Sequence, residues 1–290
     1  RASWDADELS LYGRFDFILA KDGTPKILEF NADTPTSLLE ASVIQWQWKE
    51  DVFPECDQFN GIHEGLVQSW KDIFPKKGEI YFAGALENNE DTGTLQYLAS
   101  TAMEAGFSTR VLDMQALDLQ NGRFFDPAGE LVNRCFKLYP WEWMVDESPD
   151  GCLAEMEWLE PIWKLVMSNK AILATLYELF PDSPYVLPCY LSRPRSGLFC
   201  KKPVFSREGH NVSVVDIRDW EEYVRIAETE GDYNTGAYVY QEYVEPTAYS
   251  GRYPVIGSWI IGGEAAGIGI RENRMEVTDN LSEFVPHIIG

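Results

Sequence analysis

Residues Leu11–Ser37 read LYGRFDFILAKDGTPKILEFNADTPTS, and the fold is decided by how this stretch pairs. Two apolar-rich runs, Leu11–Ala20 and Lys26–Phe30, flank Lys-Asp-Gly-Thr-Pro, with Asp22-Gly23 as the turn signal. Such an Asp-Gly between two runs of this kind specifies a β-hairpin. Side chains alternate along a strand, so Arg14 and Asp16 share one face while Phe15 and Phe17 share the other. On the second strand Glu29 and Asn31 lie together, opposite Leu28 and Phe30. The pattern predicts an apolar face that packs and a polar face gathering an arginine, two carboxylates and an amide. In an ordinary half-exposed hairpin that polar face lies in water. In the alternative, Asp16, Glu29 and Asn31 supply hard oxygen ligands of the type Mg²⁺ prefers. Arg14 would then be a fixed fork for a phosphate or acyl-phosphate oxygen.

Outward from the hairpin, Thr34–Ser37 offers caps for a helix over Leu38–Val52, and a second helix is predicted over His63–Phe74. The run EIYFAG, Glu79–Gly84, reads as a buried strand, followed by a helix over Asp91–Ala105 and a strand over Thr109–Asp113. That β-α-β order predicts a parallel α/β lobe, with Val132–Leu138 as a further strand. The aromatic segment Tyr139–Trp143 is read as packing. Ser168-Asn169-Lys170 opens a helix to Phe180, and the proline-rich stretch Pro181–Pro194 is a loop at a lobe junction. Leu198–Phe205 and Val212–Val215 are predicted strands around the polar loop Ser206–Asn211, whose amides, Ser206 and Arg207 can meet phosphates. An acidic helix is expected over Asp219–Glu230. Strands are expected over Ala237–Val244, Val255–Ile261 and Ala265–Arg271, the last two joined at Gly262-Gly263.

The chain has 290 residues, 45% hydrophobic and 13% aromatic, enough for a large core and about two domains. A formal charge of −23 disfavours nucleic-acid binding and favours cationic ligands such as polyamines. Five scattered cysteines without C-x-x-C spacing fit reduced thiols in a cytoplasmic protein, and three histidines are too few for a multi-histidine metal site. There is no apolar run of membrane-spanning length. The chain starts at Arg1, which reads as part of a longer polypeptide. A Walker A loop, a dinucleotide-binding glycine fingerprint and a nucleophile elbow are all absent.

Seven segments in order, RFDF, ILEFNADTPTS, KLYPWEW, SNKAIL, KKPVFSREGHNVS, YQEY and IGSWIIGGEAAGIGIRENR, resemble the synthetase domain of glutathionylspermidine synthase. The resemblance spans about Leu11 to His287 and implies an ATP-grasp α/β fold with an associated parallel α/β substrate lobe. It implies core elements in residues 1–60 and 236–290, a substrate lobe in 61–165 and a lid lobe in 166–235. It assigns Asp16, Glu29 and Asn31 to Mg²⁺, Arg14, Lys202 and Arg271 to catalysis, and Lys170 with Lys202 to ATP. Ser206, Arg207, Glu208 and Gly209 fall on the loop covering the triphosphate, and Gln241, Glu242 and Tyr243 on the strand edge facing adenine. Thr34 and Thr36 stand where the family has serines contacting a peptide. Glu90 and Asp91, with Glu283 beyond Arg271, are acidic candidates for holding an amine.

The implied activity is an ATP- and Mg²⁺-dependent ligation of a carboxylate, glutathione or a related peptide, to a polyamine such as spermidine. Its partners are then small molecules, with neither nucleic acid nor membrane among them. The Cys/His amidase half of the family is missing from this segment, so no amidase activity is expected. A ligase using another amine acceptor, or a silent glutathione- or nucleotide-binding protein, carries many of the same residues.

Overall fold

The computed structural model describes residues 1–207, 209–218, 223–231, 236–274 and 282–290. Tyr12–Leu19 and Pro25–Asn31 form the antiparallel hairpin, with Arg14 opposite Asn31 and Asp16 opposite Glu29. The first strand pairs on its other edge with Tyr253–Ile261, which pairs in turn with Glu264–Asn273 and then Glu283–Val285. Gly262 and Gly263 both have positive φ, 58° and 89°, as a tight two-residue hairpin turn requires. This five-stranded antiparallel sheet is backed by two helical segments. One runs through Glu40–Ile44, wound as a π-helix, into Gln45–Val52, and the other is Ile62–Ile73.

The expected parallel lobe is present. Glu79–Gly84 lies between Ser108–Asp113 and Arg134–Leu138, and Glu157–Leu159 adds a fourth parallel strand. Helix Asn89–Glu104 makes the crossover. Its Leu95 and Leu98 join Trp70, Phe82, Phe136 and Trp259 in one core that welds this lobe to the antiparallel sheet. A small three-stranded sheet of Asp118–Gln120, Arg123–Phe125 and Leu131–Val132 hangs from the lobe. A second five-stranded antiparallel sheet runs Cys189–Tyr190, Tyr238–Glu242, Gly197–Pro203, Ser213–Ile217, Tyr223–Glu228. Helix Ile172–Leu179 packs on it through Leu173 and Ala174.

Three expectations change. The polar face of the hairpin is the buried one: Arg14 is 5% and Asp16 2% exposed, whereas Phe15, Phe17 and Phe30 are half-buried, with Phe15 stacked on Phe30 at 4.0 Å. The acidic helix is absent where the structure can be described. Tyr223–Glu228 is an edge strand paired with Ser213–Ile217, and residues 219–222 lie outside the described set. Its Tyr-Val-Arg-Ile order suits a strand, and an apolar neighbour offering ladder hydrogen bonds overrides the acidic composition. Tyr238–Glu242, grouped above with the core strands, pairs instead with Gly197–Pro203 in the second sheet.

Candidate active site

Two sheets and the parallel lobe meet over the hairpin's polar face. Arg14 grips Asp16 with two parallel bonds, Nε to Oδ1 at 2.6 Å and Nη2 to Oδ2 at 3.0 Å, and its Nη1 donates to the Thr36 carbonyl. Room for that side chain depends on Gly257, the residue opposite Asp16, because a Cβ there would stand 2.7 Å from Arg14 Cδ. Burial alone would lower the guanidinium's pKa, but Asp16 outweighs it and the net shift is upward. Arg271, one strand further over, donates from Nη2 to the same Asp16 Oδ2 at 2.8 Å. Burial and the neighbouring Arg14 charge push the Arg271 pKa down. Asn31 bridges the two carboxylates, its Nδ2 lying 3.2 Å from Asp16 Oδ2 and 3.3 Å from Glu29 Oε1.

Glu29 turns toward the lysines. Lys170 Nζ is 2.9 Å from Glu29 Oε2 and also donates to the Ser206 carbonyl at 2.6 Å. Lys202 Nζ donates to Gln241 Oε1 at 2.7 Å and to the Leu28 carbonyl at 3.1 Å, while Gln241 Nε2 holds the Ile27 carbonyl at 2.8 Å. Burial pushes the Glu29 carboxyl up, yet Lys170 and Lys202 outweigh it and hold it at about 2. Burial lowers the Lys202 pKa. Four cations, Arg14, Arg271, Lys170 and Lys202, thus surround two carboxylates, Asp16 and Glu29. At an effective dielectric of about 20, two like charges ~4 Å apart repel by about 4 kcal/mol. A buried cluster with that imbalance is built to receive an anion.

Two cavities open from the cluster. One, about 90 Å³, lies between the antiparallel sheets, with Ile18, Leu28, Leu187 and Val255 as apolar walls. Asp16, Glu29, Lys170, Lys202, Gly209 and the edge Gln241–Tyr243 face it. Apolar walls with a polar strand edge suit a flat base, and the lysines suit its phosphates. The other cavity, about 190 Å³, borders the parallel lobe and holds Arg14, Arg271, Thr34, Thr36, Glu90, Asp91 and Arg207. Glu90 and Asp91 occupy the first turn of Asn89–Glu104, where the Asn88 side chain accepts from Glu90 N. A larger cavity of about 810 Å³ lies elsewhere, between residues 1–9 and 152–162. Its charged lining is balanced, Arg1, Lys76 and Arg134 against Asp7, Glu8 and Glu157, so volume alone does not mark the site.

Most of the sequence-derived candidates therefore gather in one place, with three differences. Arg207 reaches Thr34 Oγ1 and Glu142 Oε1, each at 2.6 Å, instead of pointing among the lysines. Glu283 stands apart on an edge strand, paired with Arg252 at 2.8 Å. Glu208 lies outside the described residues. Sequence reasoning missed Glu142, whose segment reads as aromatic packing, and it missed a buried scaffold beneath the site. There Lys137 meets Asp33 at 2.7 Å with both side chains wholly buried. Lys164 donates to the Tyr12 and Ala32 carbonyls, and Glu160 accepts from the Leu11 and Tyr12 amides. Asp33 sits inside the quoted NADTPTS stretch, but nothing local identifies a lysine 104 residues away as its partner.

The donor set fits Mg²⁺: two carboxylates and a carboxamide on adjacent strands offer hard oxygens beside cations that attract phosphate. Among the described residues no group of three or more His, Cys, Asp or Glu is placed to hold a metal ion, so the Asn31 carboxamide and phosphate oxygens would have to complete the set. No described helix is long and apolar enough to cross a membrane.

A family model described as "Glutathionylspermidine synthase preATP-grasp" matches residues 1–290. A Haemophilus influenzae protein named "putative acid–amine ligase" is 39% identical over 300 residues, covering 98% of this chain and 76% of the relative. A trypanothione synthetase of Crithidia fasciculata is 28% identical and the bifunctional glutathionylspermidine synthetase/amidase of Escherichia coli 26%. The chain is covered to 98% and 100% in these two matches, but it spans only 48% and 51% of those relatives. Among solved structures, a protein from Methylobacillus flagellatus named "putative gamma-glutamylcysteine synthetase" superposes with a TM-score of 0.65. It shares 10% identity, with 99% of this chain and 82% of that one covered. A glutathione synthetase-like effector from Globodera pallida gives 0.59 at 11% identity, with 100% and 83% covered. These two structures share the fold, and the whole-length family match assigns the chain to the glutathionylspermidine synthase preATP-grasp family.

Proposed function

We propose that this protein is an ATP- and Mg²⁺-dependent carboxylate–amine ligase that forms an amide through an acyl phosphate. The observation that carries the reading is the buried excess of cations, Arg14, Arg271, Lys170 and Lys202 around Asp16 and Glu29, in a chain whose overall charge is −23. Mg·ATP still carries net negative charge, and such a cluster complements it. Asp16, Glu29 and Asn31 would hold the metal, which supplies charge neutralisation at the phosphates when bound.

An oxygen of the substrate carboxylate attacks the γ-phosphorus, and the bond to the β,γ-bridging oxygen breaks, releasing ADP. Lys170 and Lys202 hold phosphate oxygens, while Arg14 and Arg271 meet the negative charge that spreads over the transferring group. The amine nitrogen then attacks the carbonyl carbon of the acyl phosphate, loses its proton and displaces phosphate. Glu90 and Asp91, across the cleft from the arginines, hold the ammonium groups that must stay charged while one nitrogen is neutral. The substrates in this reading are glutathione or a related peptide and a polyamine such as spermidine. Names of relatives and the acidic side of the cleft support that choice. Screening pairs of acids and amines for ADP release tests it: release should need one acid and one amine together, and release indifferent to both would refute it.

A further inference from the structure

Arg207 lies on the loop after Gly197–Pro203, yet its charge is spent on the parallel lobe. Its Nη2 donates to Glu142 Oε1 and its Nη1 to Thr34 Oγ1, both at 2.6 Å. The guanidinium carbon stands 5.8 Å from the ring centre of Trp143, which Tyr139 braces edge-on at 5.4 Å. A carboxylate beside an aromatic face is a cation receptor, because the ring's quadrupole adds to the carboxylate's attraction. Trp143 and Tyr139 line the same cavity as Glu90 and Asp91, Glu142 lines a small neighbouring cavity with Lys170 and Ser206, and Arg207 stands between the two and borders both.

Arg207 is incompletely satisfied in this seat. Among the described residues its Nε is buried without a hydrogen-bond partner, and so is the Oγ of Ser206 next to it. Ser206 is 9% exposed, and its carbonyl already holds Lys170 Nζ at 2.6 Å. Phosphate oxygens drawn to Lys170 are acceptors of the kind both atoms lack. The loop thus has two competing sets of partners, and Glu142 belongs to one of them.

We propose that Glu142 and Trp143 form a subsite for an alkylammonium group of the substrate, which Arg207 occupies here and vacates when nucleotide phosphates engage it. The proposal rests on the ligase reading above and adds to it the place where a substrate cation docks. It makes nucleotide and ammonium substrate cooperative, since binding of the first removes the internal competitor of the second. The ammonium can come from the amine acceptor or from the α-amino group of the peptide; the recognising chemistry is the same.

Titration calorimetry on the full chain separates these outcomes, using spermidine, glutathione and a glutathione analogue lacking the α-amino group. With Mg²⁺ and a non-hydrolysable ATP analogue present, Glu142→Gln should weaken spermidine or glutathione at least tenfold while the nucleotide analogue binds as before. If glutathione is the ligand affected, the analogue without its amino group should bind the wild-type and variant proteins equally. Without nucleotide, Arg207→Ala should bind the same ligand several-fold more tightly than wild type, a gain that misfolding cannot produce. Unchanged affinities in Glu142→Gln, or no gain in Arg207→Ala, overturn the subsite. A wild-type protein that binds neither spermidine nor glutathione refutes the ligase reading itself.

Discussion

Asp33 and Glu29 lie four residues apart, both carboxylates and both paired with a lysine, yet they belong to different kinds of structure. Asp33 is closed off. Lys137 meets one oxygen at 2.7 Å, the Trp141 amide donates to the other at 2.9 Å, and Lys137 also donates to the Tyr139 carbonyl at 3.0 Å. One charge cancels one charge, and both side chains are wholly buried. Burial pushes the Lys137 pKa down even so, a sign of how strongly the position is desolvated. Glu29 shares its cations with Asp16 in a cluster with more positive than negative charge, and it opens on both of the cavities that flank the cluster. Balanced and sealed charge holds a fold together, whereas unbalanced charge beside a cavity awaits a ligand.

The largest effect expected from breaking this contrast is on stability. Lys137→Met leaves Asp33 as an uncompensated buried charge and should cost about 3–5 kcal/mol in denaturant unfolding. Turnover per folded molecule should stay near normal. A variant of wild-type stability would show that the sealed pair is not structural.

Glu29→Ala should act the other way round. Turnover should drop by about 10²–10³, the scale for losing one preorganised electrostatic group, with a smaller loss of stability than in Lys137→Met because Lys170 and Lys202 keep their carbonyl and amide partners. Near-normal turnover would remove Glu29 from the metal and phosphate site.

Much of this contrast was legible in the sequence, and part of it was not. The Asp22-Gly23 turn marked the hairpin, and the apolar EIYFAG run marked the buried parallel strand, but a bulge between Asp16 and Phe17 shifts the register set at the turn and brings Glu29, instead of Leu28, opposite Asp16. Alternation separates the two faces of a hairpin but cannot say which one faces inward. Here the inward face is the charged one, because neighbouring strands and lobes bring Arg271, Lys170 and Lys202 to meet it. The Asp33–Lys137 and Arg207–Glu142 pairs join residues far apart in the chain, and no local pattern reports such a partner. Composition misled at Tyr223–Glu228, where strand pairing decides the conformation.

Smaller effects sharpen the comparison on the cleft side. Glu90→Gln with Asp91→Asn should raise KM for a polyamine about tenfold, the equivalent of ~1.4 kcal/mol, and leave KM for ATP unchanged. An equal rise in both constants would place the pair with the nucleotide. For pH, Glu29 at about 2 stays ionised throughout the working range, so the amine should set the profile. Its neutral fraction grows about tenfold per unit below its pKa near 10, so kcat/KM for the amine should climb from pH 6 to 8. A profile that falls over that range would contradict attack by a neutral amine.

The acyl phosphate itself can be tested by isotope transfer. When the acid substrate carries ¹⁸O in its carboxylate, the protein, Mg²⁺, ATP and amine should release phosphate bearing one ¹⁸O for each amide formed. Amide formation with unlabelled phosphate, or ADP release without any amide, would contradict ligation through an acyl phosphate.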